Sequence, residues 1–221
     1  MALFDDLAVK KNELIRRAKT GSVFVAAMSV AIPAAWTSGA SGDLIALDPE
    51  DWTDLGWTNT DGVEFPRETE SVDMNSFGSS EPTRSDVTRD EISMNVTAQE
   101  TKLITIGITT GADTAAIEAA AVTGEVKINK PAKPRLRFYR TLGLFLDHDD
   151  NGDEIYFGRF MPRAQVNDFG SQTYSDDETG ISYPMTFRGK EDSTAGYAHQ
   201  WWWGGKGWLA LLSDMGIPQA T

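Results

Sequence analysis

The chain contains no cysteine. No disulfide can form and no thiolate can hold a metal, which excludes a disulfide-stapled scaffold and a zinc ribbon alike. Histidine is scarce, with His148 and His199 the two in 221 residues. Neither lies in an HExxH motif, no G-x-S-x-G elbow occurs, and Gly204-Gly205-Lys206-Gly207 lacks Walker spacing. An enzyme is not expected, and no catalytic residue, cofactor or metal is assigned. Long apolar runs are missing too. The uncharged stretch from Thr20 to Gly42 has its apolar centre at Val23 to Trp36, broken by Pro33. That is shorter than the ~20 residues a bilayer span needs, so no membrane partner is expected. A secretory signal is the alternative reading there, since Lys10, Lys11, Arg16 and Arg17 precede it, but Asp5, Asp6 and Glu13 argue against it. The preferred expectation is a helix over Leu3 to Lys19, then a strand over Val23 to Val30.

Positive charge is in deficit. Thirty-three acids face twenty bases, a net charge of -13. Residues 43–100 hold fifteen acids and three bases, whereas residues 101–146 hold seven bases and three acids. Such a chain repels DNA phosphates rather than gripping them. The basic stretch Lys127, Lys130, Lys133, Arg135, Arg137 and Arg140 can pair with the acidic half in two ways. Pairing between copies, head to tail, builds rings and stacks; pairing within one chain is the other possibility.

What is abundant is period-two alternation. Along Glu91 to Gln99, Ile92, Met94, Val96 and Ala98 point one way, and Glu91, Ser93, Asn95, Thr97 and Gln99 the other. Upstream, Val63 and Phe65 alternate with Glu64, and acids continue at Glu68 and Glu70. Two strands with a polar, acid-bearing face result. Arg135 to Leu146 alternates again, with Asp153 to Met161 as its hairpin partner, and Ile181 to Phe187 closes the series. Helices are expected over Thr101 to Ile108 and Asp113 to Val122, the latter from its alanines, with a short strand over Glu125 to Lys130. Many alternating strands with few helices predict a mainly β fold, a two-sheet β-sandwich with one or two flanking helices and an N-terminal arm. One domain is expected overall, divided into an arm and first strand (1–42) and a sandwich with a C-terminal tail (43–221).

Asp147-His148-Asp149-Asp150-Asn151-Gly152 matches the first half of a calcium-binding EF-hand loop, but Gly158 stands where the bidentate glutamate belongs. Between two strands, Asn151-Gly152 instead signals a tight exposed hairpin turn with positive φ at both residues. Trp201, Trp202 and Trp203 cannot all face one core, so at least one meets solvent, a partner or a ligand. Exposed tryptophan suits an oligomer interface or a sugar-binding surface.

Several segments, in order, carry a resemblance: the DLGWTNTDGVEF turn and strand, the SFGSSEPTR loop, the alternating strand, ETKLITIGI, RFMPRAQV, ISYPMTFRGKED and the ending WWWGGKGWLALLSDMGIP. Together they cover most of the chain from about Asp43 onward. They resemble the major tail protein of long-tailed, siphovirus-type phages, the tail tube subunit, especially the form seen in phages of actinobacteria. The resemblance implies a virion protein made in the host cytoplasm. Its copies would form stacked hexameric rings, a passive conduit through which double-stranded DNA passes without specific recognition. It further implies contacts with a tape measure, a tail terminator and a distal tail protein. On that basis Glu64, Glu68, Glu70, Glu91, Ser93 and Asn95 are expected to face the lumen. Phe4, Leu7, Lys127, Lys130, Arg135, Arg137, Trp201, Trp202, Trp203 and Trp208 are expected at contacts between subunits. The competing readings are a secreted β-sandwich that binds carbohydrate or another ligand, and a different tail component such as a tail-completion protein.

Overall fold

A computed structural model describes residues 4–133, 137–172, 174, 176 and 180–220, apart from the side chains of residues 5 and 6. In chain order the elements are α1 (Phe4–Leu7), β1 (Thr20–Ala27), β2 (Thr37–Ser38), β3 (Asp43–Leu44), β4 (Trp52–Asp54), β5 (Thr58–Glu64), β6 (Arg67–Met74) and β7 (Arg84–Ala98). There follow α2 (Leu103–Thr110), β8 (Phe138–His148), β9 (Glu154–Phe169), β10 (Tyr183–Gly189), β11 (Gln200–Gly204) and α3 (Lys206–Leu211). The fold is mainly β, as the alternation predicts, and its curled antiparallel sheet is consistent with a β-sandwich. The sheet runs β4-β1-β8-β9-β10-β7-β5, with β11 beside β9 and β6 beside β7. β2 and β3 form a separate small ribbon.

Alternation builds the core. In β7, Met94, Val96 and Ala98 are buried, while Ser93, Asn95 and Thr97 between them stay partly accessible. Val23 and Val25 of β1 and Met161, Ala164 and Val166 of β9 meet Met94 and Val96 of β7 and Met185 and Phe187 of β10 in one cluster. β9 is long enough to serve both layers: one edge pairs with β8 from Glu154 to Gln165, and the other pairs first with β11 and then, over its last residues, with β10. α2 lies over this core with Thr105, Gly107 and Ile108 buried, and Gly111, at φ 65°, ends it in the left-handed conformation.

A second cluster covers the opposite face of β1, β8 and β9. Ala26, Trp36, Trp52, Leu142, Phe160 and Trp202 make it up. Trp36 stacks on Trp202 with centroids 5.5 Å apart and planes 7° from parallel, and meets Phe160 edge-on at 5.0 Å. Strands β1, β8 and β9 are therefore buried on both faces, which explains their nearly continuous apolar character.

Several expectations need correction. Among the described residues the expected N-terminal helix is confined to Phe4–Leu7 and a single 3-10 turn at Asn12–Leu14, and Leu3, its expected start, lies outside them. Beyond that turn the chain is extended, because its polar groups bond to β8. The Lys19 amide donates to the Leu146 carbonyl, and the Arg17 amide to the Asp147 carboxylate. Residues 113–122 form turns, not a helix, and residues 125–130 are not a strand. Alanine propensity is a weak force without an apolar stripe to bury, and this stretch is mostly exposed. The expected strand through 64–70 is two strands, broken at Phe65-Pro66, since proline offers no N–H to a ladder. The turn after β8 is narrower than expected. Asp147 is buried, beside Arg16 at 3.6 Å and Lys19 at 3.4 Å. The tip is Asp149 to Gly152, where the Gly152 amide bonds to the Asp149 carbonyl. Only Gly152 has positive φ, 85°, so Asn151 does not make the type I′ turn the sequence suggests.

Candidate assembly surfaces

Cross-strand pairing collects all six lumen candidates on one face. Asn95 sits opposite Glu64, Glu68 opposite Glu91, and Glu70 opposite Arg89, while Ser93 faces Arg188 of β10. Residues that pair directly share a face of the sheet. The Asn95 amide donates to Glu64 at 3.4 Å, and the Thr186 hydroxyl donates to Asn95 Oδ1 at 2.9 Å. The face is not bare carboxylate. The Arg89 guanidinium lies 3.4 Å from Glu68, 3.0 Å from Glu70 and 2.9 Å from Glu91, and Arg188 lies 3.2 Å from Glu91. The hydrogen bond from Arg89 holds the Glu91 carboxyl below the usual range, and reciprocally raises the arginine. Sequence reasoning missed Arg89, although its place two residues before Glu91 on one strand puts both on the same face.

This face runs on to a two-stranded ribbon, β6 with the facing part of β7, which leaves the body of the fold and carries Glu68 and Glu70 near its root. All eight residues of β6 are exposed. Val72, Met74 and Val87 are more than half exposed, and Phe77 at the tip is entirely so. A lone ribbon is marginally stable in water.

The tryptophans divide by parity. Trp202 is buried in the second cluster and is not available to a partner, which corrects its assignment as a contact residue. Trp201 and Trp203, on the other side of β11, are 39% and 48% exposed. Trp203 stacks on Trp208 at 5.8 Å, and Arg159 lies 5.0 Å from the Trp201 ring. Phe4 and Leu7 are each about three-quarters exposed. The root of that segment is held to its own chain, through Lys11 to Asp214 and Arg16 and Lys19 to Asp147.

The basic stretch is less free than its composition suggests. Lys127 pairs with Glu125 at 3.2 Å and Arg137 with Asp113 at 3.2 Å, while Lys130 is exposed. Arg140 is buried and serves the interior; Arg135 lies outside the described residues. Among the described residues no group of three or more His, Cys, Asp or Glu is placed to hold a metal, and no helix is long and apolar enough to cross a membrane.

His199 packs between Phe65 at 6.1 Å and Trp201 at 4.4 Å, and neither ring nitrogen finds a partner among the described residues. Burial, with Arg159 nearby, pushes its pKa down to about 4. Arg67, Asp90 and Glu91 line the same hollow. The unfolded chain takes up this proton near pH 6.5, the folded one near 4, so this residue's contribution is intact above pH 6.5 and is lost as pH falls towards 4. The shift alone corresponds to about 3 kcal/mol, and solvent access to the ring reduces this to roughly 1–2 kcal/mol. His199→Phe is expected to flatten the stability–pH profile between those limits. Parallel profiles for the two proteins in urea titrations would refute this.

A comparison with curated proteins gives no match. A family model described as phage tail tube protein matches residues 8–203, spanning every strand from β1 to β10 and most of β11. The chain therefore belongs to the phage tail tube protein family and is a structural component of the virion tail.

Proposed function

We propose that the chain is one domain with an arm, and that its copies close into six-membered rings that stack into the tube of a long-tailed phage. The ring order follows from the resemblance. The face carrying Glu64, Glu68, Glu70, Glu91, Ser93 and Asn95 lines the bore. The observation that carries this reading is the two-sidedness of β7 and β10: one side is the sealed core, the other a continuous polar face with acids in excess. Repeated around a ring, each carboxylate becomes a band that repels passing phosphate. Ring closure would also cover the open edge of β5, which otherwise invites mispairing. Tape measure, terminator and distal tail proteins would be the partners along and at the ends of the tube.

Negative-stain imaging of the purified chain at high concentration tests self-assembly, and hollow filaments are expected. The bore assignment is tested by Glu64→Lys, Glu68→Lys and Glu70→Lys together. Glu91 is left intact, because a lysine there would face Arg89, Arg188 and Lys190. The triple variant is expected to assemble and to slow DNA exit from reconstituted virions. Ejection at the wild-type rate would refute it.

The exposed Phe4 and Leu7 are proposed to lie on a neighbouring subunit. Deleting residues 1–20 would also strip Arg16 and Lys19 from buried Asp147, so the informative deletion is 1–9. It should leave the melting temperature within about 2 °C, since exposed residues contribute little, while polymerisation is lost. Normal tubes from this truncation would sink the role of the arm.

A further inference from the structure

Phe65 and Val63 on one layer and β8, β9 and β11 on the other leave an open mouth at the end of the first core. It forms a pocket of about 320 Å³. Its walls are aromatic, with Phe65, Phe145, Phe157 and Trp203, and its rim carries Arg17 and Arg159. Phe65 and Phe145 meet edge-on at 6.0 Å and fix the floor. Arg159 lies across the rings of Phe65 and Trp201, at 5.1 Å and 5.0 Å. Among the described residues neither Arg17 nor Arg159 meets a carboxylate with its side chain. A partly buried guanidinium without a counter-charge is costly, and burial holds that of Arg159 below its ordinary value. The pocket is thus shaped for an aromatic group accompanied by acid.

The chain itself presents such a group. Phe77 stands wholly exposed at the tip of the β6–β7 ribbon. Residues 71–86 around it hold Asp73, Glu81 and Asp86 against the single base Arg84. At about 3.3 Å per residue, an eight-residue strand carries its tip roughly 26 Å from its root. The root begins two residues after Phe65, itself a wall of the pocket, and the ribbon is exposed along its whole length. The tip therefore points away from its own pocket and can reach only another copy's.

We infer that this pocket is the socket for the Phe77-bearing ribbon tip of a second copy of the chain, the ring seating on the floor that Phe65 and Phe145 form, beside Phe157 and Trp203, and the acids of the ribbon meeting Arg17 and Arg159. The inference rests on the self-assembly reading above and names the contact that would make it directional. A tip that leaves one copy and a socket that receives it on the next make a heterologous contact, which propagates instead of closing on itself.

The absence of native cysteine makes the test clean. Full-length Ser80→Cys and Ala18→Cys chains, mixed and oxidised under assembling conditions, are expected to give a disulfide between copies. Phe77→Ala should melt like the parent, since the ring touches nothing. It should raise the concentration needed for polymerisation about tenfold or more, as loss of an anchoring aromatic does. Wild-type filaments without the cross-link, or Phe77→Ala polymerising like the parent, would overturn the socket and leave self-assembly standing. A disulfide from Leu7→Cys to Ala18→Cys in place of the Ser80 one would seat the N-terminal arm there and equally overturn it. A wild-type chain that stays monomeric at high concentration would overturn both readings.

Discussion

Gly158→Ala is expected to destabilise the fold by about 3 kcal/mol or more, at the upper end of what overpacking causes. Gly158 lies in β9 directly opposite Trp202 of β11. A Cβ added there would overlap the Cε2, Nε1 and Cζ2 atoms of that indole. The indole has nowhere to retreat. Trp36 is stacked on it, and Trp36 in turn is held by Phe160 at 5.0 Å and Trp52 at 6.4 Å. The backbone of Gly158 is not in the left-handed region, so the penalty is steric and comes from packing. That makes it suppressible. Trp202→Leu alone leaves a cavity and costs stability, but in combination with Gly158→Ala the two effects should be far from additive, because the smaller side chain makes room for the new methyl. Urea unfolding of the parent, both single variants and the double variant checks this. Additive single effects, or a Gly158→Ala midpoint equal to the parent's, would show that the Trp36–Trp202 stack yields easily.

The same residue marks where sequence reading stops. In the sequence Gly158 is informative only as the residue that spoils a calcium loop; its packing role needs Trp202, forty-four residues away, to be known as its strand partner. The alternation of 91–98 was legible because one side of β7 meets core and the other does not, and so was that of β10. β8 and β9 were legible as strands, but their two buried faces concealed which side belongs to which core. The alanines of 113–122 misled because helix propensity carries little weight on a segment with no face to bury. At the candidate bore, the acids were evident and their arginines were not, since Arg188 reaches Glu91 only through the pairing of β10 with β7. Of the ribbon only the root was legible: 64–70 and 91–99 read as strands, whereas its outer parts, 71–74 and 84–90, alternate too irregularly to be read, and alternation does not say whether either side is covered.

Arg140→Met should be nearly as damaging, costing about 3–5 kcal/mol, the range for a buried charge deprived of its partner. A single guanidinium here closes several open ends of the fold. Its Nε donates to the Val30 carbonyl at 2.6 Å, and its terminal nitrogens to the carbonyls of Pro162 at 2.9 Å and Met28 at 3.3 Å. It also lies 3.8 Å from the carboxylate of Asp192, and both side chains are about nine-tenths buried. Met28 and Val30 belong to the segment after β1 that covers the second core, so the arginine ties that cover to β8 and β9. Methionine keeps the apolar stem and removes every donor. Three carbonyls and one carboxylate then remain without their partner. The carboxylate keeps the amides of Thr194 and Ala195, at 2.9 Å and 3.0 Å, which hold its pKa below the ordinary value even before Arg140 adds to the effect. The second change Asp192→Asn should therefore recover only part of the loss, the part due to uncompensated charge, leaving that due to the orphaned carbonyls. At roughly 2–4 °C per kcal/mol for a chain of this size, the single variant should melt about 10 °C lower. A drop of less than about 2 °C, or full recovery by Asp192→Asn, would mean that the carbonyls are readily hydrated and that Arg140 acts only as a counter-charge.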